Sequence, residues 1–231
     1  MFYFSGARKP DFNKIEKIDY DEYWRARGFH LNTKLKEREE MMLELIPKGS
    51  RVMDIGCGNS LLPVKLKEKG CAMSVGDIST LVLGGFKEHG ISGVPVDLEK
   101  IDTTTIPQKL DYIILSEVLE HLRNPEDVIA KLSPHTRHFL ITVPNSGFYR
   151  YRTHIMFGGR FFTQWVHHPS EHLRFWTHID FLDWLAAQHV KVVHSESSNG
   201  FTLFGFAPSL KNLWKNLFGH QILYICSPLH S

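Results

Sequence analysis

The sequence predicts an α/β protein built around a parallel sheet, and three observations carry that prediction. Short apolar runs alternate with longer amphipathic stretches over most of the 231 residues. The run Val52-Met53-Asp54-Ile55 leads into Gly56-Cys57-Gly58-Asn59-Ser60, a buried strand entering a glycine turn and then a helix. Glycines at 56 and 58 let the backbone turn sharply and approach a ligand that side chains would obstruct. Finally, four successive strands end in polar groups: Asp54, Asp77, Asp97 and the pair Ser116-Glu117. Open α/β sheets bind their ligands at the carboxyl ends of the strands.

Each element has its own signal. Residues 1–24, aromatic and mixed in charge, are expected to wrap the domain edge. Asn32 is placed to cap a helix reaching Ile46, with Leu35, Met42, Leu43 and Ile46 on its buried face, and Pro47-Lys48-Gly49 ends it. Then come strand 51–55, helix 60–69, strand 71–76, helix 79–88 and strand 91–96. Strand 111–116, helix 124–132 and strand 138–143 follow a short acidic, threonine-rich link. Asn124-Pro125-Glu126-Asp127 is a strong helix start: a cap, a proline in the first turn, then acids matching the dipole. Such alternation calls for parallel strands joined by right-handed crossovers. The rhythm breaks over residues 145–176, rich in aromatics, histidine and arginine, and resumes with helix 177–188 and strand 190–195. An amphipathic helix over 209–218 and a last strand, 221–226, follow.

Composition narrows the classes. The length suits one well-packed α/β domain, and 42% hydrophobic with 23% charged residues is ordinary for a globular protein. A net charge of +2 lacks the basic excess of nucleic-acid-binding proteins, so nucleic acid is not an expected partner. Cys57, Cys71 and Cys226, an odd set without C-x-x-C spacing, imply neither a disulfide framework nor a zinc ribbon. No stretch reaches the roughly 18 apolar residues of a membrane span. Met1-Phe2-Tyr3-Phe4-Ser5-Gly6 lacks the charged start and long apolar segment of a signal peptide. A reducing, cytoplasmic location is the expectation.

Asp77 lies 23 residues after Asp54, where a ribose-binding acid belongs. These ordered motifs resemble the class I S-adenosylmethionine-dependent methyltransferases over nearly the whole chain. Dinucleotide-binding folds share the acid but carry G-x-G-x-x-G, and here Leu61 stands at the third position. The resemblance implies a Rossmann-like, doubly wound, seven-stranded sheet, mostly parallel with an antiparallel last strand and helices on both faces. It implies one domain over 1–231, with a helical cap at 1–47, a cofactor-binding half at 48–144, an insert over the acceptor pocket at 145–176 and a C-terminal half at 177–231. The Gly56-Cys57-Gly58 backbone would pass beside the methionine moiety of S-adenosylmethionine, and Asp54 would orient that turn or the cofactor's amino group. Asp77, with Ile78 beside it, would accept from the ribose hydroxyls. Asp97 would accept from the adenine amine with the Leu98 amide as donor, and Ser116 and Glu117 would complete the cofactor site. Helix capping is the plain alternative for Asp77 and Asp97.

Ser116-Glu117-Val118-Leu119-Glu120-His121 follows the fourth strand. If helical, it places Glu117, Glu120 and His121 at i, i+3 and i+4 on one face, fit for a divalent metal or an acid/base relay. Glu-x-x-Glu-His resembles the metal-binding stretch of small-RNA 2′-O-methyltransferases and a similar stretch in ubiquinone-biosynthesis O-methyltransferases. In those families a later histidine completes the site, and His172 is its match here. The bland reading has Glu117 positioning cofactor or substrate, Glu120 solvated and His121 packed. Without a metal, His121 or a histidine of the insert, such as His172, is the candidate general base. The run His167-His168-Pro169-Ser170-Glu171-His172 has no recognised zinc spacing. Tyr149, Arg150, Arg152, His154, His168 and Arg174 offer groups suited to an anionic acceptor. The stripe Leu210, Leu213, Trp214, Leu217 and Phe218, with Lys211 and Lys215 between, reads as a core face or as a helix for a membrane surface or partner.

The resemblance is strongest to MetW-like proteins, carried by Leu115-Ser116, Leu122-Arg123-Asn124-Pro125-Glu126, Thr142-Val143-Pro144-Asn145 and Phe175-Trp176-Thr177. It implies a link to homoserine O-acyltransferases. Glu117 and Glu120-His121 depart from that pattern toward catalytic O-methyltransferases. The expected function is methylation of a small-molecule acceptor at oxygen, with S-adenosylhomocysteine as product. The rival is an accessory protein of a methionine-pathway acyltransferase.

Overall fold

The computed structural model of the chain describes residues 19–159, 172–201 and 210–229. The apolar runs become β1 (Arg51–Ile55), β2 (Ala72–Asp77), β3 (Ser92–Pro95), β4 (Leu110–Ser116), β5 (Thr136–Pro144), β6 (Val190–Ser198) and β7 (Gln221–Pro228). Between and before them lie α1 (Tyr20–Ala26), α2 (Glu37–Leu45), α3 (Leu62–Lys69), α4 (Thr80–Glu88) and α5 (Pro125–Leu132). Then come α6 (Tyr149–Gly158), α7 (His178–Ala187), α8 (Leu210–Leu213) and α9 (Lys215–Phe218). The seven strands form one sheet in the order β3-β2-β1-β4-β5-β7-β6. β7 runs antiparallel to both β5 and β6, while the other pairings are parallel. This is the expected doubly wound sheet with an antiparallel last strand.

Side chains on successive strand residues point to opposite faces, and the core follows that alternation. Met53, Ile55, Ile113, Leu115, Phe139, Ile141, Ile222 and Tyr224 join one cluster, with Val128, Ile129 and Leu132 of α5 and Phe181 and Leu185 of α7. The residues between them, Val52, Ile114, Leu140 and Leu223, join a second with Met42 and Ile46 at α2 and Leu62 and Leu66 of α3. A third, smaller cluster holds Val75, Val82, Phe86 and Ile91 at the β2–β3 edge, with Trp24 and Phe29 against it.

Three expectations need correction. Asn32 caps nothing: it exchanges amide hydrogen bonds with Asn59 at 3.2 and 3.3 Å, while α2 starts at Glu37, where the Glu39 carboxylate takes the Lys36 N–H at 2.8 Å. Asn124 precedes α5 but makes no side-chain cap bond. The helix over 209–218 breaks at Trp214 into two short turns, and Leu213 is 82% exposed, so this stripe is no core face. The structure adds α6 in the stretch without α/β rhythm. Its buried residues are Tyr151 and His154 rather than aliphatics, and left-handed Gly159 ends it.

Phe139 is fully buried at the centre of β5. Phe139→Ala is expected to cost about 3–5 kcal/mol, read from the urea midpoint. A loss under about 1 kcal/mol would mean that the sheet centre collapses around the gap.

Candidate active site at the junction of β1 and β4

Chain order reverses between β1 and β4, and the loops leaving their carboxyl ends diverge there to open a crevice. The glycine turn lies in it. Gly56 and Gly58 both have positive φ, 74° and 49°, and the Gly56 N–H donates to the Gly76 carbonyl at 2.7 Å. A Cβ on Gly56 would come within 2.6 Å of Val118 Cγ2, and one on Gly58 within 3.1 Å of the Trp24 ring.

Asp77, at the end of β2, holds this turn. Its Oδ2 accepts from the Gly58 N–H at 3.0 Å and its Oδ1 from the Ser79 N–H at 2.9 Å. Cys57 Sγ lies 3.9 Å from the same carboxylate. Burial raises the Asp77 pKa, while the backbone donors pull against it. Ile78 beside it is 46% exposed. Ser79 caps α4 and donates to Asp21 at 2.5 Å; Thr80 Oγ1 and the Leu81 N–H also reach Asp21, at 2.9 and 3.3 Å. These bonds fasten α1 to α4 and set Trp24 over the glycine turn. Asp97 caps the short turn after β3 through one oxygen, which accepts from the Glu99 N–H at 3.0 Å, and Leu98 packs on the larger core.

After β4 the chain does not continue as an α-helix. Glu117 sits at φ 57°, and only Leu119–His121 make a 3₁₀ turn. Glu117 therefore leaves the face it was expected to share. Its Oε2 accepts from Gln221 Nε2 at 2.8 Å, and burial raises its pKa. Ser116 Oγ pairs with Thr142 Oγ1 at 3.0 Å and accepts from Arg38 Nε at 3.3 Å. Glu120 is 1% exposed, so it is not solvated, and neither carboxyl oxygen has a hydrogen-bond partner among the described residues. Burial drives its pKa far up, with the Glu117 charge adding. The Glu120 carbonyl accepts from the Leu173 and Arg174 N–H groups at 2.8 and 3.1 Å, which brings His172 onto His121. The two rings meet edge to face, centroids 4.6 Å apart. One ligand atom from each of Glu120, His121 and His172 lies within 4.8 Å of the others. Burial and the neighbouring His121 push the His172 pKa down to about 4, so its imidazole is neutral at pH 7.

A cavity of about 180 Å³ in the crevice is lined by Asp54, Gly56, Cys57, Gly58, Ser116 and Glu117, which the sequence singled out. It is also lined by Trp24, Lys36, Arg38 and Glu39, which the sequence did not. In sequence the last three sit inside the charged run Lys34 to Glu40, which reads as a solvated helix start. The groups proposed for an anionic acceptor divide differently. Arg152 is tied to the Gly147 carbonyl at 2.5 Å and to the Asn216 carbonyl at 3.2 Å. Arg174 bonds the Arg123 carbonyl and lies 3.8 Å from Glu126, so both guanidiniums serve the scaffold. Tyr149 packs against Phe148 and Phe218, Arg150 Nε donates to the Tyr149 hydroxyl at 3.1 Å, and His154 is buried. His168 and the His167-to-Glu171 run lie outside the described residues. Tyr151 and His220 form a further acid–base pair, Oη to Nε2 2.7 Å.

Asp54 is 2% exposed, and burial, with Glu39 and Asp77 adding, pushes its pKa up to about 8 from 3.8. The folded state therefore holds a proton that the unfolded chain releases between those values, so stability falls as pH rises from about 4 toward 8. Asp54→Asn removes that loss. Urea unfolding of both proteins is expected to show the variant's advantage widening across this window, by at most about 1.4 kcal/mol per pH unit. A pH-independent difference would mean that Asp54 is ionised throughout.

Comparison with known proteins places the fold. It matches a magnesium protoporphyrin IX methyltransferase from Synechocystis, crystallised with bound SAH, at TM-score 0.59 and 14% identity, covering 91% of this chain and 98% of that one. A TehB-like SAM-dependent methyltransferase from Corynebacterium glutamicum matches at TM-score 0.57 and 14% identity, covering 91% and 96%. The [4+2]-cyclase SpnF matches at TM-score 0.60 and 12% identity, covering 91% and 96%. Among curated sequences, a bifunctional methionine biosynthesis protein MetXA/MetW from Rhodopirellula baltica is 29% identical over 140 residues, 53% of this chain and 21% of that protein. A ubiquinone biosynthesis O-methyltransferase from Burkholderia cenocepacia is 37% identical over 87 residues, 36% of this chain and 38% of that protein. The matches thus span well under half the length of these relatives. The family model for the methionine biosynthesis protein MetW matches residues 36–226, and with the sheet order and the glycine-turn site in place, the chain belongs to the MetW family on the class I methyltransferase fold.

Proposed function

We propose that this protein is an S-adenosylmethionine-dependent methyltransferase acting at oxygen of a small-molecule acceptor. The observation that carries the reading is the glycine turn at the β1–β4 junction, pinned through the Gly58 N–H by the carboxylate that ends β2. Gly56, Cys57 and Gly58 pass beside the methionine moiety, and Ser116 and Glu117 close the opposite wall. Asp77 accepts from the ribose on the lone pairs its backbone donors leave. Ile78, with its exposed side chain, and Asp97 with the Leu98 amide flank the adenine. Oxygen methylation is favoured by the likeness to the ubiquinone biosynthesis O-methyltransferase and by the acid–histidine cluster beside the crevice.

Methyl transfer from a sulfonium is an in-line displacement. The acceptor oxygen forms the new bond to the methyl carbon, the carbon–sulfur bond breaks, and its electron pair stays on sulfur to give S-adenosylhomocysteine. Positioning supplies most of the rate. His121 takes the hydroxyl proton, His172 orients it as a neutral neighbour, and Glu117 holds the chain at the crevice rim. Glu120, His121 and His172 also fit a divalent cation, because a buried carboxylate with both oxygens unpartnered needs a positive partner. Such a cation would polarise the acceptor oxygen.

A second reading rests on the Rhodopirellula relative, whose name joins MetXA and MetW in one chain. In it the chain binds the cofactor and modulates an acyltransferase. Turnover with any acceptor argues against it, and stable co-purification with an acyltransferase supports it. Among the described residues no helix is long and apolar enough to cross a membrane, and all three cysteines are free and buried, which supports a reducing, cytoplasmic setting.

Calorimetric titration with S-adenosylmethionine and S-adenosylhomocysteine tests the first reading. Both are expected to bind, and Asp77→Ala to weaken both at least tenfold. The same variant is expected to lose about 1–3 kcal/mol of stability, since Asp77 joins two backbone segments. Added Mn²⁺ is expected to give a separate binding heat that Glu120→Gln abolishes. No binding of either sulfur compound would overturn the reading; no metal heat would leave His121 as the sole proton acceptor.

A further inference from the structure

Two neighbouring elements expose large apolar side chains on one face of the molecule. On α6, Met156 and Phe157 are 69% and 73% exposed; at the break between α8 and α9, Leu213 and Trp214 are 82% and 55% exposed. The two elements lie against each other. Arg152 of α6 donates to the Asn216 carbonyl of α9 at 3.2 Å. The rings of Tyr149, Phe218 and Trp214 run in series, with successive centroids 6.1 and 6.0 Å apart. Met156 follows Arg152 by four residues, so it stands one helical turn further along the same side of α6. Contiguous exposed apolar side chains of this kind mark an interaction surface.

The charge around the patch indicates the partner. From Pro144 to Ser170 and from Ser197 to Ser231 the sequence holds none of its 25 Asp and Glu residues. The described parts of those stretches carry Arg150, Arg152, Lys211 and Lys215. Lys211 is neutralised by Glu37 of α2, whereas Arg152 and Lys215 make no ion pair among the described residues. Arg150 and Arg152 are both exposed. Exposed aromatic and aliphatic side chains bordered by cations are the composition of segments that lie in the interface of an anionic bilayer, where Trp also settles.

We propose that α6 and the α8–α9 turns form a docking surface for an anionic lipid bilayer. Met156, Phe157, Leu213 and Trp214 enter the headgroup layer, and Arg150, Arg152 and Lys215 meet the lipid phosphates. A second copy of this chain would bring like charges together on the same face. The surface stands at the crevice rim: Gln221, three residues after α9, donates to Glu117 in the cavity wall at 2.8 Å. Docking therefore sets that rim beside the lipid. The inference does not rest on the cofactor reading.

Co-sedimentation with vesicles of phosphatidylcholine, alone or mixed with phosphatidylglycerol, tests it. The protein is expected to bind the anionic vesicles at least about tenfold more tightly than the neutral ones, and to lose that preference as salt is raised. Phe157→Ser and Leu213→Ser are each expected to weaken binding about tenfold. Leu229→Ser, at an exposed leucine past the far end of β7, is expected to leave it unchanged. Trp214→Phe is expected to keep binding and to diminish the blue shift of tryptophan emission on vesicles. No binding to anionic vesicles, equal binding to neutral ones, or an equal loss in Leu229→Ser overturns the inference. If sedimentation equilibrium shows a dimer that Leu213→Ser dissociates, the surface belongs to a second copy and the inference falls. Binding of S-adenosylhomocysteine in solution is expected to be unchanged in every variant, so failure of the docking surface and failure of the cofactor reading are told apart.

Discussion

One carboxylate sets the geometry of the whole site. Asp77 ends β2 and reaches across to the Gly58 amide that follows β1, while its other oxygen receives the amide that opens α4. Two loops from neighbouring strands are thereby locked to one point. Each device in the crevice takes its position from that lock. The glycine turn is held open against Val118, and Ser79 is presented to Asp21, so that α1 lies over the turn with Trp24 at its edge. The bonds are short-range and the consequence is long-range, because α1 and α4 are fixed through residues 58 positions apart in sequence.

The electrostatics run against stability. Asp54, Asp77 and Glu120 are buried and Glu117 is half-buried near the carboxyl ends of β1, β2 and β4, and burial raises the pKa of each. A fold selected for stability alone would not gather four acids at low dielectric. Backbone donors hold Asp77 and Gln221 holds one oxygen of Glu117, whereas the other Glu117 oxygen and both oxygens of Glu120 have no hydrogen-bond partner among the described residues. These two acids face different places: Glu120 the histidine cluster, Glu117 the cavity. Unpartnered buried carboxyl groups of this kind mark places where binding partners supply what the chain omits.

Much of this was legible in residues. The period-two burial of β1, β4, β5 and β7 is written in runs such as Asp111 to Leu115, and the ends of those runs located the crevice. Tight spacing rules did the work there. The stretch after Ser116 was misread because helical spacing was assumed, while Glu117 takes a left-handed conformation that no periodicity reveals. The Glu120–His121–His172 cluster still forms, by a different route: a carbonyl bond to Leu173 and Arg174 replaces the shared helical face. Lys36 and Arg38 escaped notice because a charged residue at a helix start looks solvated until the fold wraps it over a cavity. The α6 helix escaped because it buries Tyr151 and His154 in place of an aliphatic stripe.

The last strand in sequence is not the last in space. β7 slots between β5 and β6, and Gln221 at its start braces both Glu117 and Arg38. While the chain is being made, β5 therefore waits with a bare apolar edge until β7 emerges from the ribosome, and that edge is a template for pairing with other chains. The crevice wall is finished in the same event. A chain halted before β7 thus lacks this wall of the crevice and leaves the flank of β5 open to pairing with other chains.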